Sequence, residues 1–99
     1  MKKGINKKTN QIKRKILPTL RKHDVVRAGI FGSFVRGEDI SQSDLDILVE
    51  FSKSISLFDL IGLQMELEKK IHKKVDVVPY NSIDPYLKDR ILKEEVNIL

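Results

Sequence analysis

The 99-residue chain has no cysteine, so disulfides and thiolate metal sites are excluded, and the composition suits a reducing compartment. It has no apolar run near the ~20 residues that a membrane span requires. Its beginning also lacks the apolar centre of a signal peptide. A cytoplasmic protein without membrane contact is expected. Internal repeats, low-complexity segments and linkers are missing too, and a chain of this length builds one core. The expectation is therefore one domain over 1–99, with residues 1–9 as a flexible basic tail. Acid is scarce at one end: residues 1–23 carry nine Lys or Arg and no Asp or Glu, whereas residues 24–99 carry ten basic and fourteen acidic residues. The amino-terminal segment is thus strongly basic on a mildly acidic body. Such a segment attracts nucleic acid or an acidic surface, or simply forms a solvated helix face. No aromatic residue is interleaved with its charges, so a base-stacking platform is not indicated.

What is present reads as a mixed α/β (α+β) domain: a small mixed three-stranded sheet flanked by helices. Ile12, Ile16 and Leu20, with Leu17 beside them, form one stripe of a helix, and Pro18 within it predicts a kink or boundary near Leu17. Residues 25–31, VVRAGIF, form a first strand ended by Gly32. Residues 33–43 are polar and read as a loop with at most one helical turn. Residues 45–51, LDILVEF, form a second strand that places Leu45, Ile47, Val49 and Phe51 on one face and Asp44, Asp46, Leu48 and Glu50 on the other. Ser56 and Asp59 have the spacing of a capping box. Leu60, Leu63, Leu67 and Ile71 then keep helical period, with Lys69, Lys70, Lys73 and Lys74 at the carboxyl end. Residues 75–80, VDVVPY, give a third strand stopped by Pro79, and residues 84–96 a last helix with proline in its first turn.

Connectivity gathers charge at one place. The second and third strands are joined by a long helix, as parallel neighbours must be, so both begin at the same sheet edge. Asp44 and Asp46 lie at the start of one and Asp76 at the start of the other. The short link between the first two strands predicts an antiparallel pair, which returns Gly32 and Ser33 to that edge. Three ionised carboxylates in one spot repel unless a cation sits among them. An all-oxygen set suits Mg²⁺ or Mn²⁺, and two such ions would clamp a displacement at phosphorus. Gly32 could let backbone approach phosphate oxygens, while Ser33 and Arg36 could donate to them. With eight aspartates in the chain, an Asp-x-Asp pair alone says little; its combination with the glycine-serine turn and a third aspartate says more.

The stretch GSFVRGEDISQSDLDILVEF resembles the signature of the DNA polymerase beta-like nucleotidyltransferase superfamily, Gly-Ser followed ten residues later by Asp-x-Asp. The Arg36-Gly37 step and the later VDVV are most similar to its minimal nucleotidyltransferase branch, and the resemblance runs from about Ile12 to the end. It implies that Asp44, Asp46 and Asp76 form the catalytic, metal-binding triad and that Gly32 and Ser33 hold the triphosphate of ATP. It further implies an antitoxin that transfers AMP to a tyrosine of an all-helical HEPN RNase toxin encoded nearby, releasing pyrophosphate. A non-catalytic binding module, and transfer to a small molecule or to RNA, are the rival readings; the basic amino end keeps RNA open as acceptor or partner.

Other chemically able residues have plainer explanations. His23 and His72 read as solvated, and Glu50 as structural or as support behind the aspartates. Tyr80 and Tyr86 could be modified in a self-reaction but read first as packing residues. Lys88, Arg90 and Lys93 could meet a nucleotide or partner, yet a charged helix face accounts for them equally well.

Overall fold

The computed structural model describes residues 7–32 and 44–99. Helix α1 (Lys7–Lys22) leads into strand β1 (Val25–Phe31). Strand β2 (Leu45–Phe51), helix α2 (Leu57–Ile71) and strand β3 (Val75–Pro79) follow. A 3-10 turn (Tyr80–Ser82), helix α3 (Pro85–Glu94) and the two-residue strand β4 (Val96–Asn97) complete the chain. The strands form one mixed sheet in the order β3-β2-β1-β4. The β1 strand is antiparallel to both β2 and β4, whereas β2 and β3 are parallel.

The fold class is the expected one, but among the described residues the sheet has four strands, not three. The last helix stops at Glu94, and Val96 and Asn97 pair with Ile30 and Gly29. Two residues carry no readable period, and their extended state comes from a partner almost seventy positions upstream. A second departure is at Pro18, where α1 continues as one helix to Lys22. Thr19 and Leu20, immediately after the proline, are 2% and 0% exposed; their burial holds the turn that the missing N–H weakens.

One face of the sheet holds the core. Ile16 and Leu20 of α1 and Leu63, Leu67 and Ile71 of α2 pack on Ala28, Ile30, Leu45, Ile47, Val49, Val75 and Val77. The α2 helix starts with the capping box that its sequence announces: Ser56 Oγ accepts from the Asp59 amide at 3.2 Å, and the Ser56 amide donates to Asp59 Oδ2 at 3.3 Å. It ends at His72, whose φ of 56° is left-handed. Asp84 caps α3 by accepting from the Tyr86 amide at 2.9 Å, ahead of Pro85 at the first helical position.

The second face carries the alternate residues. Its rows follow from the register: Phe31, Asp46 and Asp76; then Gly29, Leu48 and Val78; then Arg27 and Glu50, with Tyr80 two residues beyond Val78. The connection from β2 to β3 moves one way across the sheet, with α2 on the core face. The connection from β3 to the parallel β4 moves the other way, so a right-handed return carries α3 over the second face. The side chains agree with that route: the Tyr80 hydroxyl donates to Glu95 Oε2, and Glu95 lies over Gly29.

Candidate functional site

The starting ends of β2 and β3 are locked together. The Leu45 amide donates to the Lys74 carbonyl at 2.9 Å, and the next positions pair as Leu45 with Val75 and Asp46 with Asp76. Residues opposite each other in a parallel pair project to the same face, so the Asp46 and Asp76 side chains are neighbours on the second face. Asp46 is half-buried and Asp76 exposed. Asp44 is exposed and directly precedes β2.

The end of β1 closes on the same place, since Phe31 pairs with Asp46. Gly32 follows with φ of 85°, a left-handed conformation that glycine adopts without strain. A side chain there would also run into the Asp46 carboxylate. Glycine therefore serves both the backbone turn and the close seating of Asp46 against it. Ser33 and Arg36 lie outside the described residues, as does the 33–43 loop.

The donor chemistry suits a hard divalent cation: two carboxylates side by side, with a third aspartate two positions upstream. Among the described residues, however, no three Asp, Glu or His side chains are gathered closely enough to hold an ion. The pairing that the strands fix is Asp46 with Asp76; Asp44 stands at the approach.

Behind this edge the second face holds a polar cluster that the sequence reading did not assemble. The Arg27 guanidinium sits 4.3 Å from the centre of the Tyr80 ring. Its Nη2 is 4.0 Å from Glu95 Oε1, and the Glu95 side chain is only 7% exposed. Burial, and then the bond to Glu95, raise the Tyr80 phenol well above its ordinary value of 10.0. Tyr80 thus acts as a neutral donor fixing Glu95, consistent with the packing role read for it, and Glu50 beside it belongs to the same polar row. No regular sequence spacing marks this cluster, because Glu95 arrives from the far end of α3. His23 also departs from expectation: its Nε2 lies 3.2 Å from Glu66 Oε1 of α2, which Lys22 Nζ approaches at 3.0 Å. Hydrogen bonds from Lys22 and then His23 lower the Glu66 pKa. Tyr86 and Lys88, Arg90 and Lys93 of α3 are exposed, as is His72. Among the described residues no helix is long and apolar enough to cross a membrane.

Comparison with known proteins agrees with this geometry. The family described as "Polymerase beta, Nucleotidyltransferase" matches residues 14–99. "Putative protein adenylyltransferase MJ0435" of Methanocaldococcus jannaschii is 59% identical over 90 residues, 91% of this chain and 97% of that protein. A solved minimal nucleotidyltransferase superposes with a TM-score of 0.77 at 32% identity, over 90% of this chain and 91% of that one. The fold also matches the Shewanella oneidensis complex of a tri-AMPylated HEPN toxin with an MNT antitoxin, with a TM-score of 0.72 at 21% identity, over 91% of this chain and 71% of that one. The chain belongs to the polymerase beta nucleotidyltransferase family, with a minimal nucleotidyltransferase fold.

Proposed function

We propose that this protein is an antitoxin that transfers AMP from ATP to a tyrosine hydroxyl of a cognate HEPN toxin. The observation that carries the reading is the facing pair Asp46 and Asp76 with Gly32 seated against Asp46. Family membership supplies the reaction class, and the adenylyltransferase relative supplies the nucleotide. The HEPN toxin of the Shewanella complex, itself tri-AMPylated, supplies the kind of acceptor.

In this mechanism the backbone at Gly32, with Ser33 and Arg36, holds the triphosphate by donating to its oxygens. The acceptor oxygen attacks the α-phosphorus, forming the new O–P bond. The bond from that phosphorus to the bridging oxygen breaks, and pyrophosphate leaves with the electron pair. The hydroxyl proton passes to the Asp76 carboxylate and from there to solvent. Asp46 and Asp76, which the strands set side by side, would hold Mg²⁺ or Mn²⁺ with Asp44 completing the set from the approach, and the ion would neutralise charge that builds on the phosphates.

The test is incubation with Mg²⁺, ATP labelled at the α-phosphate and the HEPN protein encoded beside this one. Label should enter a tyrosine of that protein, whereas ATP labelled at the γ-phosphate should leave none. Asp46→Asn and Asp76→Asn should each lower the rate by about 100-fold or more. An unlabelled HEPN protein with the unaltered enzyme would sink the proposal. Full protection by the doubly substituted protein would assign neutralisation to binding alone.

A further inference from the structure

The α2 helix is apolar on two opposite faces, and among the described residues only one is covered. Leu63, Leu67 and Ile71 are buried against the sheet. On the far side Leu57, Phe58, Ile61 and Met65 are 70%, 87%, 44% and 56% exposed. At 100° per residue these four fall within one stripe, centred roughly opposite the buried one. An exposed apolar stripe of that length on a small domain marks a contact surface.

Two further observations indicate what fits there. Gly62 lies on the edge of the stripe, and a side chain at that position would meet nothing. Glycine in a helix interior costs about 1 kcal/mol relative to alanine, and nothing within the described fold explains it. A glycine notch beside bulky apolar residues lets another helix approach closely, with its ridge between Phe58 and Met65. At the amino end, Leu57 also lines a cavity of about 700 Å³ whose walls mix Phe51, Ile55 and Leu60 with Glu50, Lys53 and Tyr80, a recess that suits an amphipathic segment.

Charge selects the occupant. Lys69 continues the stripe one turn beyond Met65 and is exposed. A second copy seated antiparallel across the Ile61–Gly62 step would bring Lys69 and Lys70 to the positive amino-terminal end of its mate's α2, where Lys53 is already paired with Asp24 at 3.4 Å, and a parallel seating would set Lys69 against Lys69. Both arrangements place like charges together. A different helix with an acidic residue facing Lys69 meets no such conflict. We infer that the outer face of α2 seats an amphipathic, acid-flanked helix of the partner toxin; the toxin's identity rests on the function proposed above. Because α2 covers the core face and the aspartates lie on the second face, docking and transfer occupy opposite sides of the sheet.

The test uses the full chain and its neighbouring HEPN protein, measured as a purified complex by titration and, separately, as a transfer assay. Phe58→Asp should weaken the complex roughly 30-fold or more. Gly62→Leu should do the same while leaving the melting temperature of the free protein unchanged or higher, since the new side chain has open space and better helix propensity. The Asp46→Asn, Asp76→Asn protein should bind as the unaltered one does. Unchanged affinity in both α2 variants, or no complex with the unaltered protein, overturns the inference even where transfer is seen. A homodimer that either variant splits also overturns it, by making the occupant a second copy. A complex that the variants weaken, but in which no AMP is transferred, leaves the docking face standing and removes the proposed reaction.

Discussion

At Gly29 a methyl group would overlap the Glu95 carboxylate lying across β1. That carboxylate cannot move freely, because Tyr80 donates to it and its side chain is 7% exposed. Gly29→Ala should therefore lower unfolding free energy by about 1–3 kcal/mol, the range for overpacking. Urea denaturation of a double-mutant cycle checks this: with Glu95→Ala already present the same substitution should cost much less. Equal costs in both backgrounds would show that Glu95 is not the obstacle. Gly32→Ala has a different outcome. Its φ of 85° adds about 1–2 kcal/mol of left-handed strain, and the new methyl displaces Asp46. Transfer should fall at least ~10-fold in a protein that still melts cooperatively. The need for glycine was legible at position 32, where a turn signal ends an apolar strand. It was not legible at position 29, because its cause is a side chain 66 positions away.

Elements whose signals are local were readable to the residue. The ranges 25–31 and 45–51 are those of β1 and β2, because each is an apolar run bounded by polar or glycine residues. The Ser56–Asp59 box begins α2 where spacing places it, and Ser56→Ala should remove about 1 kcal/mol, measurable by chemical denaturation. What stayed hidden depends on distant partners: β4 on β1, the passage of α1 through Pro18, and the link of Lys22 and His23 to Glu66. The outer stripe of α2 was visible as letters but overshadowed by the inner leucines. The Glu66 link makes a pH prediction. Its pKa is lowered in the folded protein, so the unfolded chain binds the proton first as pH falls. The contribution is complete above the ordinary glutamate value of 4.5 and is lost as pH drops through the lowered one. Glu66→Gln should flatten the acid limb of the stability curve, and an unchanged limb would show that the contact does not tie α1 to α2.

Across the whole molecule the sheet separates two kinds of surface. Its core face carries α1 and α2; its second face carries the aspartates at one edge and the Arg27, Tyr80 and Glu95 cluster behind them. The cluster joins the end of β3 to the residue before β4, so it spans the sheet from one edge strand to the other. In the order β3-β2-β1-β4, β4 is held to the sheet by two residue pairs, by the backbone bonds of Ile98 and Leu99 to Ala28 and by buried Val96 and Ile98; the Tyr80–Glu95 bond adds a side-chain attachment. Its titration can be read in the stability of the whole domain. Tyr80 keeps its proton in the folded state well above the ordinary phenol value of 10.0. In the unfolded chain it ionises near that value, so the folded state then binds more protons than the unfolded one. Stability from this tie is complete below pH 10 and declines as pH rises beyond it. Tyr80→Phe removes both the bond and its titration. Urea midpoints at pH 9 and pH 11 should show the unaltered protein ahead of the phenylalanine variant at the lower pH and with a smaller lead at the higher. Parallel losses in the two proteins would mean that alkaline unfolding starts elsewhere and that the backbone bonds and buried side chains of the carboxyl end hold β4 without the Tyr80–Glu95 tie.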